Sequence, residues 1–255
     1  MFKISIFTAE DYDFLFGAWC DFVERSAGKC QIAGIFVFPD TLKNKKGVEI
    51  YFEYLKIFGF FDFLMFGIKT LWRRLNKKKK KYSSFRDLAK KNKIPYFYKD
   101  NPNSPEVVEL VKENQIDVIL ISFGYIVKAP LIEAAKVILN KHSALLPAYR
   151  GLWPIFWALN SENNVHVGAT IHTVTREIDK GEIILQKDYG VLKSKSVFEI
   201  YGMIYEDMAD LFFKALDNLK TGKREIAEEK YPASYFSLPG RNDYKNFKNK
   251  GLKFI

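Results

Sequence analysis

Short apolar runs alternate along this chain with longer stretches in which apolar positions recur every three or four residues. FKISIF (2–7), QIAGIFVF (31–38), IPYFY (94–98), DVILISF (117–123) and AKVILN (135–140) are of strand type. The last two are almost unbroken in apolar residues, as strands covered on both faces require. Between these runs the pattern predicts helices over 11–26, 48–75, 85–90, 105–113 and 129–135. Ser83 and Ser84 stand before the third, and Ser104-Pro105 opens the fourth with proline at its first position. This alternation predicts an α/β fold with a Rossmann-like, doubly wound, mostly parallel sheet. Ligands of such sheets lie beyond the carboxyl ends of the strands.

The texture changes after residue 151. WPIFWALN (153–160) predicts a helix with Pro154 in its first turn. VGATIHTVT (167–175) alternates like a half-exposed strand, and 177–192 reads as a loop running into another strand. Ser196 and Glu199 form a capping box for a helix to about Lys220, closed by Thr221-Gly222. Residues 223–255 read as a short polar tail. The expected organisation is a catalytic domain over 1–192, with 193–255 as a C-terminal helix and tail packed on it.

Composition narrows the class. With 48% hydrophobic residues the chain has material for a sizeable core. Forty basic against 30 acidic side chains leave a net charge of +10. That excess favours nucleic acid, phosphorylated metabolites or acidic lipid, or merely keeps the protein soluble. Two cysteines, Cys20 and Cys30, are too few for a disulfide framework or a Cys-rich metal site. The N-terminus enters a strand pattern with no secretory signal, so a cytoplasmic location is expected. IFGFFDFLMFGI (57–68) is too short to span a bilayer and is interrupted by Asp62. A core or surface-groove helix is the expectation, ahead of an interfacial membrane helix, and the five lysines at 77–81 should form an exposed loop or frayed end.

Three polar residues invite a chemical reading. Asn140 and His142 end an apolar strand and, two apart, share one face. Asp179 sits in a Gly-containing loop. An amide, an imidazole and a carboxylate suit acyl transfer: the first two donate to an oxyanion, and the carboxylate helps move the proton of the attacking amine. Taken singly, each residue has an ordinary structural explanation. No P-loop, GxGxxG turn or HExxH helix is present. His166 and His172 lack a metal-site spacing, and no metal is expected.

The block running from Asn140 through His142, Leu145-Leu146-Pro147 and Tyr149 to Gly151 resembles the N-x-H-x-S/P-LLP-x-Y-R-G block of the 10-formyltetrahydrofolate-dependent formyltransferases. Gly168-Ala169-Thr170-Ile171-His172, followed by Ile178-Asp179-Lys180-Gly181-Glu182-Ile183-Ile184 and Gln186, resembles that family's second block. Thr8-Ala9-Glu10 departs from the glycine common after the first strand, and His142-Ser143-Ala144 replaces His-Pro-Ser. The resemblance implies the formyltransferase fold, with Asn140, His142 and Asp179 as the catalytic triad. Asn140 and His142 would polarise the formyl oxygen, while Asp179 would orient His142 and keep it protonated. It implies 10-formyltetrahydrofolate as co-substrate, held near Ser122, Phe123, Gly124, Tyr125 and Ile178, with Leu145 and Arg150 shaping the wall.

Only 76 residues follow Asp179, so the further domain of tRNA-directed members is not expected. Trp153-Pro154 and Trp157 resemble the compact sugar N-formyltransferases. The expected acceptor is a nucleotide-linked amino-dideoxy sugar destined for surface polysaccharide, with a possible homodimer built through 48–75 or the tail. The alternatives are methionyl-tRNA or glycinamide ribonucleotide formylation, or a non-catalytic module binding nucleic acid or a membrane surface.

Overall fold

A computed structural model describes residues 1–42, 45–75, 81–162, 165–228 and 230–255, so four of the five lysines at 77–81 fall outside the described residues. The elements begin with β1 (Phe2–Ala9), α1 (Leu15–Arg25), β2 (Cys30–Phe38), the two-residue strands β3 (Thr41–Leu42) and β4 (Lys45–Lys46), α2 (Val48–Phe58) and α3 (Phe60–Leu75). Next come α4 (Phe85–Lys91), β5 (Tyr96–Tyr98), α5 (Pro105–Glu113), β6 (Val118–Ser122), α6 (Ala129–Ala134) and β7 (Val137–His142). The chain continues through β8 (Arg150–Gly151), α7 (Pro154–Asn160), β9 (Gly168–Thr173), β10 (Ile183–Asp188), α8 (Val197–Glu206), α9 (Met208–Thr221), β11 (Tyr235–Phe236) and α10 (Arg241–Asn249).

Seven strands form one sheet in the order β10-β9-β7-β6-β1-β2-β5. β5, β2, β1, β6 and β7 pair in parallel, whereas β9 and β10 are antiparallel additions at the far side. The chain winds from β1 outward to β2 and β5, then crosses back to β6 and β7. The reversal beside β1 is a topological switch point, where such sheets leave a crevice. The period-two alternation sorts side chains between two layers. Ile4, Ile6, Val118, Leu120 and Leu139 enter a core shared with α1, α4, α7, α8, α9 and α10. Phe7, Phe36, Ile119, Ile121 and Ile138 enter a second core with α5 and α6.

Several elements depart from the sequence expectation. The helix expected over 48–75 breaks at Gly59, whose φ of +72° favours glycine. α2 and α3 turn Tyr54, Phe58, Phe63 and Phe66 inward while their outer face stays open to solvent and α3 borders a groove, which fits the surface-groove half of the expectation and not a core helix. β9 is buried along nearly its whole length, because neighbouring strands flank it and α9 and Leu145 lie over it. The long C-terminal helix divides at Asp207 into α8 and α9, with the Ser196–Glu199 capping box intact. The tail is not merely polar: Tyr244, Phe247 and Leu252 of α10 and its exit are buried in the first core, and β11 pairs with β8.

Lys141 lies between Asn140 and His142 on β7, so alternation turns it to the opposite face, beside α8. It is 5% exposed. Its Nζ donates to Ser143 Oγ at 2.9 Å and sits 3.6 Å from the centroid of the Tyr205 ring. Burial lowers its ammonium to about 7, against the pull of the Asp11 charge. The unfolded chain therefore holds a proton that the folded chain lacks between about pH 7 and the ordinary lysine value of 10.5. This group's contribution to stability rises with pH across that window and is at its most unfavourable below pH 7. The penalty that this shift corresponds to is on the order of 5 kcal/mol. Lys141→Met should be more stable than the parent at pH 6, with the advantage shrinking toward pH 10, as read by urea unfolding at both pH values.

Candidate functional site

The carboxyl end of β7 delivers Asn140 and His142 to a cavity of about 430 Å³ over the edge of the sheet. β9 runs antiparallel beside it, with Asn140 opposite His172 and His142 opposite Thr170. Asn140 Nδ2 lies 3.1 Å from His172 Nε2, and His172 Nδ1 lies 2.8 Å from the Thr173 carbonyl oxygen. The carbonyl can only accept, so Nδ1 carries the proton and Nε2 accepts from the Asn140 amide. This bond settles which way the Asn140 amide points. Burial pushes the His172 imidazole down to about 4, with His142 adding to the effect, so the ring is neutral at pH 7.

His142 is fixed in the same manner. Its Nε2 donates to the Tyr149 carbonyl at 2.9 Å, and Nδ1 faces the carboxylate of Asp179 at 3.7 Å. Asp179 reaches the cavity from the loop before β10. Its Oδ2 accepts from the Gly151 backbone N–H at 2.9 Å, and its Oδ1 lies 3.6 Å from His172 Nε2. The carboxylate therefore sits between two imidazoles, at charge-pair distance but beyond direct hydrogen bonding. Asp179 has φ of +51°. Two residues later Gly181 packs so closely on β9 that a Cβ there would fall 1.6 Å from the Thr173 carbonyl oxygen. That contact presses the loop against the strand and aims Asp179 at the site.

A second network holds the loop after His142. Thr170 Oγ1 donates to the Ala144 carbonyl at 2.6 Å and accepts from the Leu146 N–H and from Gln186 Nε2, each at 3.1 Å. Gln186 also donates to the Leu146 carbonyl at 2.9 Å. Thr170 and Gln186 thus support the Leu-Leu-Pro turn, whose Leu146–Pro147 bond is cis.

Ser122, Phe123, Gly124, Tyr125 and Ile178 line the same cavity as Asn140, His142 and Asp179. Leu145 and Arg150 do not. Leu145 is buried against Gly168, and Arg150 donates through Nε to the Ser234 carbonyl at 3.2 Å. His172, which its spacing from His166 marks as no more than a poor metal ligand, holds Asn140. The signal was its place in the second motif block, opposite Asn140 once the strands pair. Tyr235 lines the cavity too, within the aromatic stretches 48–66 and 231–236 that the sequence offers for stacking on a base; Asp11, Asp40, Trp153, Tyr201 and Tyr205 also line it, and nothing in their spacing points there. The Asp40 carboxyl, crowded by protein atoms though open to the cavity, is pushed up to about 6, with Asp11 adding repulsion. Among the described residues no cluster of three His, Cys, Asp or Glu side chains could hold a metal.

Residues 63–216 match the family model described as formyl transferase. The methionyl-tRNA formyltransferase of Fusobacterium nucleatum is 26% identical over 168 residues, which cover 65% of this chain and 54% of the relative. That of Clostridium acetobutylicum is 30% identical over 165 residues, covering 61% and 53%. The chain spans about half the length of the curated relatives it matches. A phosphoribosylglycinamide formyltransferase from Anaplasma phagocytophilum superposes with a TM-score of 0.60 at 15% identity, covering 92% of this chain and 98% of the other. An N-formyltransferase from Helicobacter canadensis, in complex with folinic acid and dTDP-3-aminofucose, gives 0.57 at 19% identity, covering 95% and 72%. At these identities the two structures bear on the fold alone. The matched family region takes in more than half of the residues, β7, β9 and the Asp179 loop among them, and the chain belongs to the formyl transferase family.

Proposed function

We propose that the protein is an N-formyltransferase that moves a formyl group from 10-formyltetrahydrofolate to a primary amine. The observation that carries this reading is the convergence of Asn140, His142 and Asp179 on one cavity in a chain of this family. A volume of about 430 Å³ suits a folate head and the amine-bearing end of an acceptor. Residues 122–127 and 174–179 form two of its walls.

In the proposed reaction the amine nitrogen attacks the formyl carbon, and the carbonyl electron pair moves onto oxygen. One Asn140 N–H is engaged by His172, which leaves the other for the oxyanion. His142, anchored at Nε2 by Tyr149, supplies a second donor from Nδ1 when that nitrogen is protonated. Asp179 orients His142 and, through a water, takes the proton that the amine sheds. The carbon–N10 bond then breaks and that proton passes to N10, which balances the transfer. His172 touches no reacting atom in this scheme and acts by positioning Asn140.

For the acceptor we infer the amino group of a nucleotide-linked amino-dideoxy sugar. The aromatic rings of Trp153, Tyr201 and Tyr235 offer faces for a sugar or base, and the Asp11 and Asp40 carboxylates offer acceptors for hydroxyls. The folate and aminosugar complex of the Helicobacter canadensis fold neighbour supports the same class. A second reading, formylation of methionyl-tRNA, is favoured by the curated relatives. Tetrahydrofolate release in the presence of dTDP- and UDP-linked amino sugars, glycinamide ribonucleotide and methionyl-tRNA separates them. Turnover with an amino sugar alone is the expected result, and turnover confined to methionyl-tRNA would reverse the assignment.

Two sets of variants probe the mechanism. Asn140→Ala, His142→Ala and Asp179→Asn should each lower kcat by roughly a hundredfold or more, with unchanged circular dichroism. Near-parental turnover in any of them would remove that residue from the proposed role. His172→Phe should lower kcat about tenfold through a misaimed Asn140 amide, while KM for the folate changes little. An equal effect on Asn140→Ala and on the double variant would mark the two residues as one unit.

A further inference from the structure

We propose that the outer face of α2 and α3 docks on an anionic lipid bilayer. α3 carries two apolar faces. Phe63 and Phe66 pack on the core, whereas Phe61, Leu64, Met65, Ile68, Leu71 and Trp72 form a separate stripe at helical spacing, exposed along its length. Phe61 is 81% exposed and Trp72 65%. Soluble monomers rarely leave contiguous apolar patches above a few hundred Å², and six large side chains in one stripe, continued by Phe60 against Phe61, reach about that limit.

Two observations choose the occupant. No described helix is long and apolar enough to cross a membrane, so this face can only lie in the interface, where an aromatic-rich stripe is at home. A groove of about 270 Å³ opens beside the stripe, with Phe66, Leu252 and Phe254 among its apolar walls and Lys69, Lys248 and Lys253 around it. Asp62 also lines it, 3.6 Å from Lys248 Nζ. Cations beside an apolar slot suit a lipid phosphate with its acyl chain. No acid follows Asp62 in the sequence of α3. A second copy fits less well, because a two-fold contact through this face would set like charges against each other. The inward face of α2, opposite the docked one, reaches the catalytic cavity: Tyr54 and Phe58 each lie 5.8 Å, centroid to centroid, from Trp153, which lines that cavity.

Flotation with phosphatidylcholine vesicles, with and without phosphatidylglycerol, tests the proposal. The protein should float with the anionic vesicles, bind neutral ones several-fold less, and be released by salt. Phe61→Glu combined with Leu64→Glu should cut the bound fraction roughly tenfold or more, with unchanged circular dichroism and melting. Lys69→Gln with Lys253→Gln should erase the preference for phosphatidylglycerol. Trp emission should shift to the blue on vesicle addition, and Trp72→Phe should lose that shift. Failure of the parent protein to float, or binding that survives the Glu substitutions, would overturn the proposal. So would a concentration-dependent dimer that the Glu pair dissolves, since the face would then belong to a second copy.

Discussion

The site depends on the register between β7 and β9. Asn140 stands opposite His172 and His142 opposite Thr170, so four polar side chains share one face of two antiparallel strands. The residues between them, Lys141 and Ile171, are also paired and turn to the other face, where Ile171 is fully buried. A slip of one residue would exchange the faces, because the pleat repeats every two residues. It would carry Ile171 into the cavity and bury His172 among aliphatic side chains. The Asn140–His172 bond and the Thr170 network on one face, with apolar packing on the other, both oppose that slip.

Fixing three functional groups at once requires that their supports be fixed too. His142 leans on the Tyr149 carbonyl, and Tyr149 has φ of +55°. A tyrosine in that region carries local strain unless its surroundings hold it. The restraint comes from the far end of the chain: Ser234 Oγ accepts from the Tyr149 N–H at 2.9 Å, and β11 pairs with β8. Residues 223–255 therefore brace the loop that orients His142. A division of the chain at 192 separates elements in sequence that share one structural task.

Legibility from the sequence followed the range of the forces involved. Apolar periodicity and caps are local, so β1, β2, β6, β7 and the Ser84, Ser104 and Ser196 caps could be read directly. Asn140 and His142 were legible as a pair because they share a strand end, and Asp179 only because its motif resembles a known one. Spacing alone could not bring it 37 residues back along the chain. Long-range packing was out of reach: the tail looked polar although Tyr244 and Phe247, three apart, carry its buried side. The two motif blocks mixed site and scaffold without distinction. His172 holds a catalytic candidate, Thr170 and Gln186 hold a turn, and Leu145 fills space beside Gly168.

The net charge of +10 is spread unevenly, and the unevenness bears on the acceptor. The cavity is lined by four carboxylates, Asp11, Asp40, Glu177 and Asp179, against two basic residues apart from histidine: Arg176, and Lys141, which borders it from the α8 side of β7 beside Tyr205. Burial draws Lys141 toward neutrality near pH 7, and Arg176 is largely exposed and paired with Glu133. Such a lining attracts an amine and repels a phosphate. Under the acceptor proposed above, a diphosphate would lie outward, toward Arg176, with the amino group leading inward to Asn140 and His142. The lysines around the α3 groove belong to another surface than this cavity.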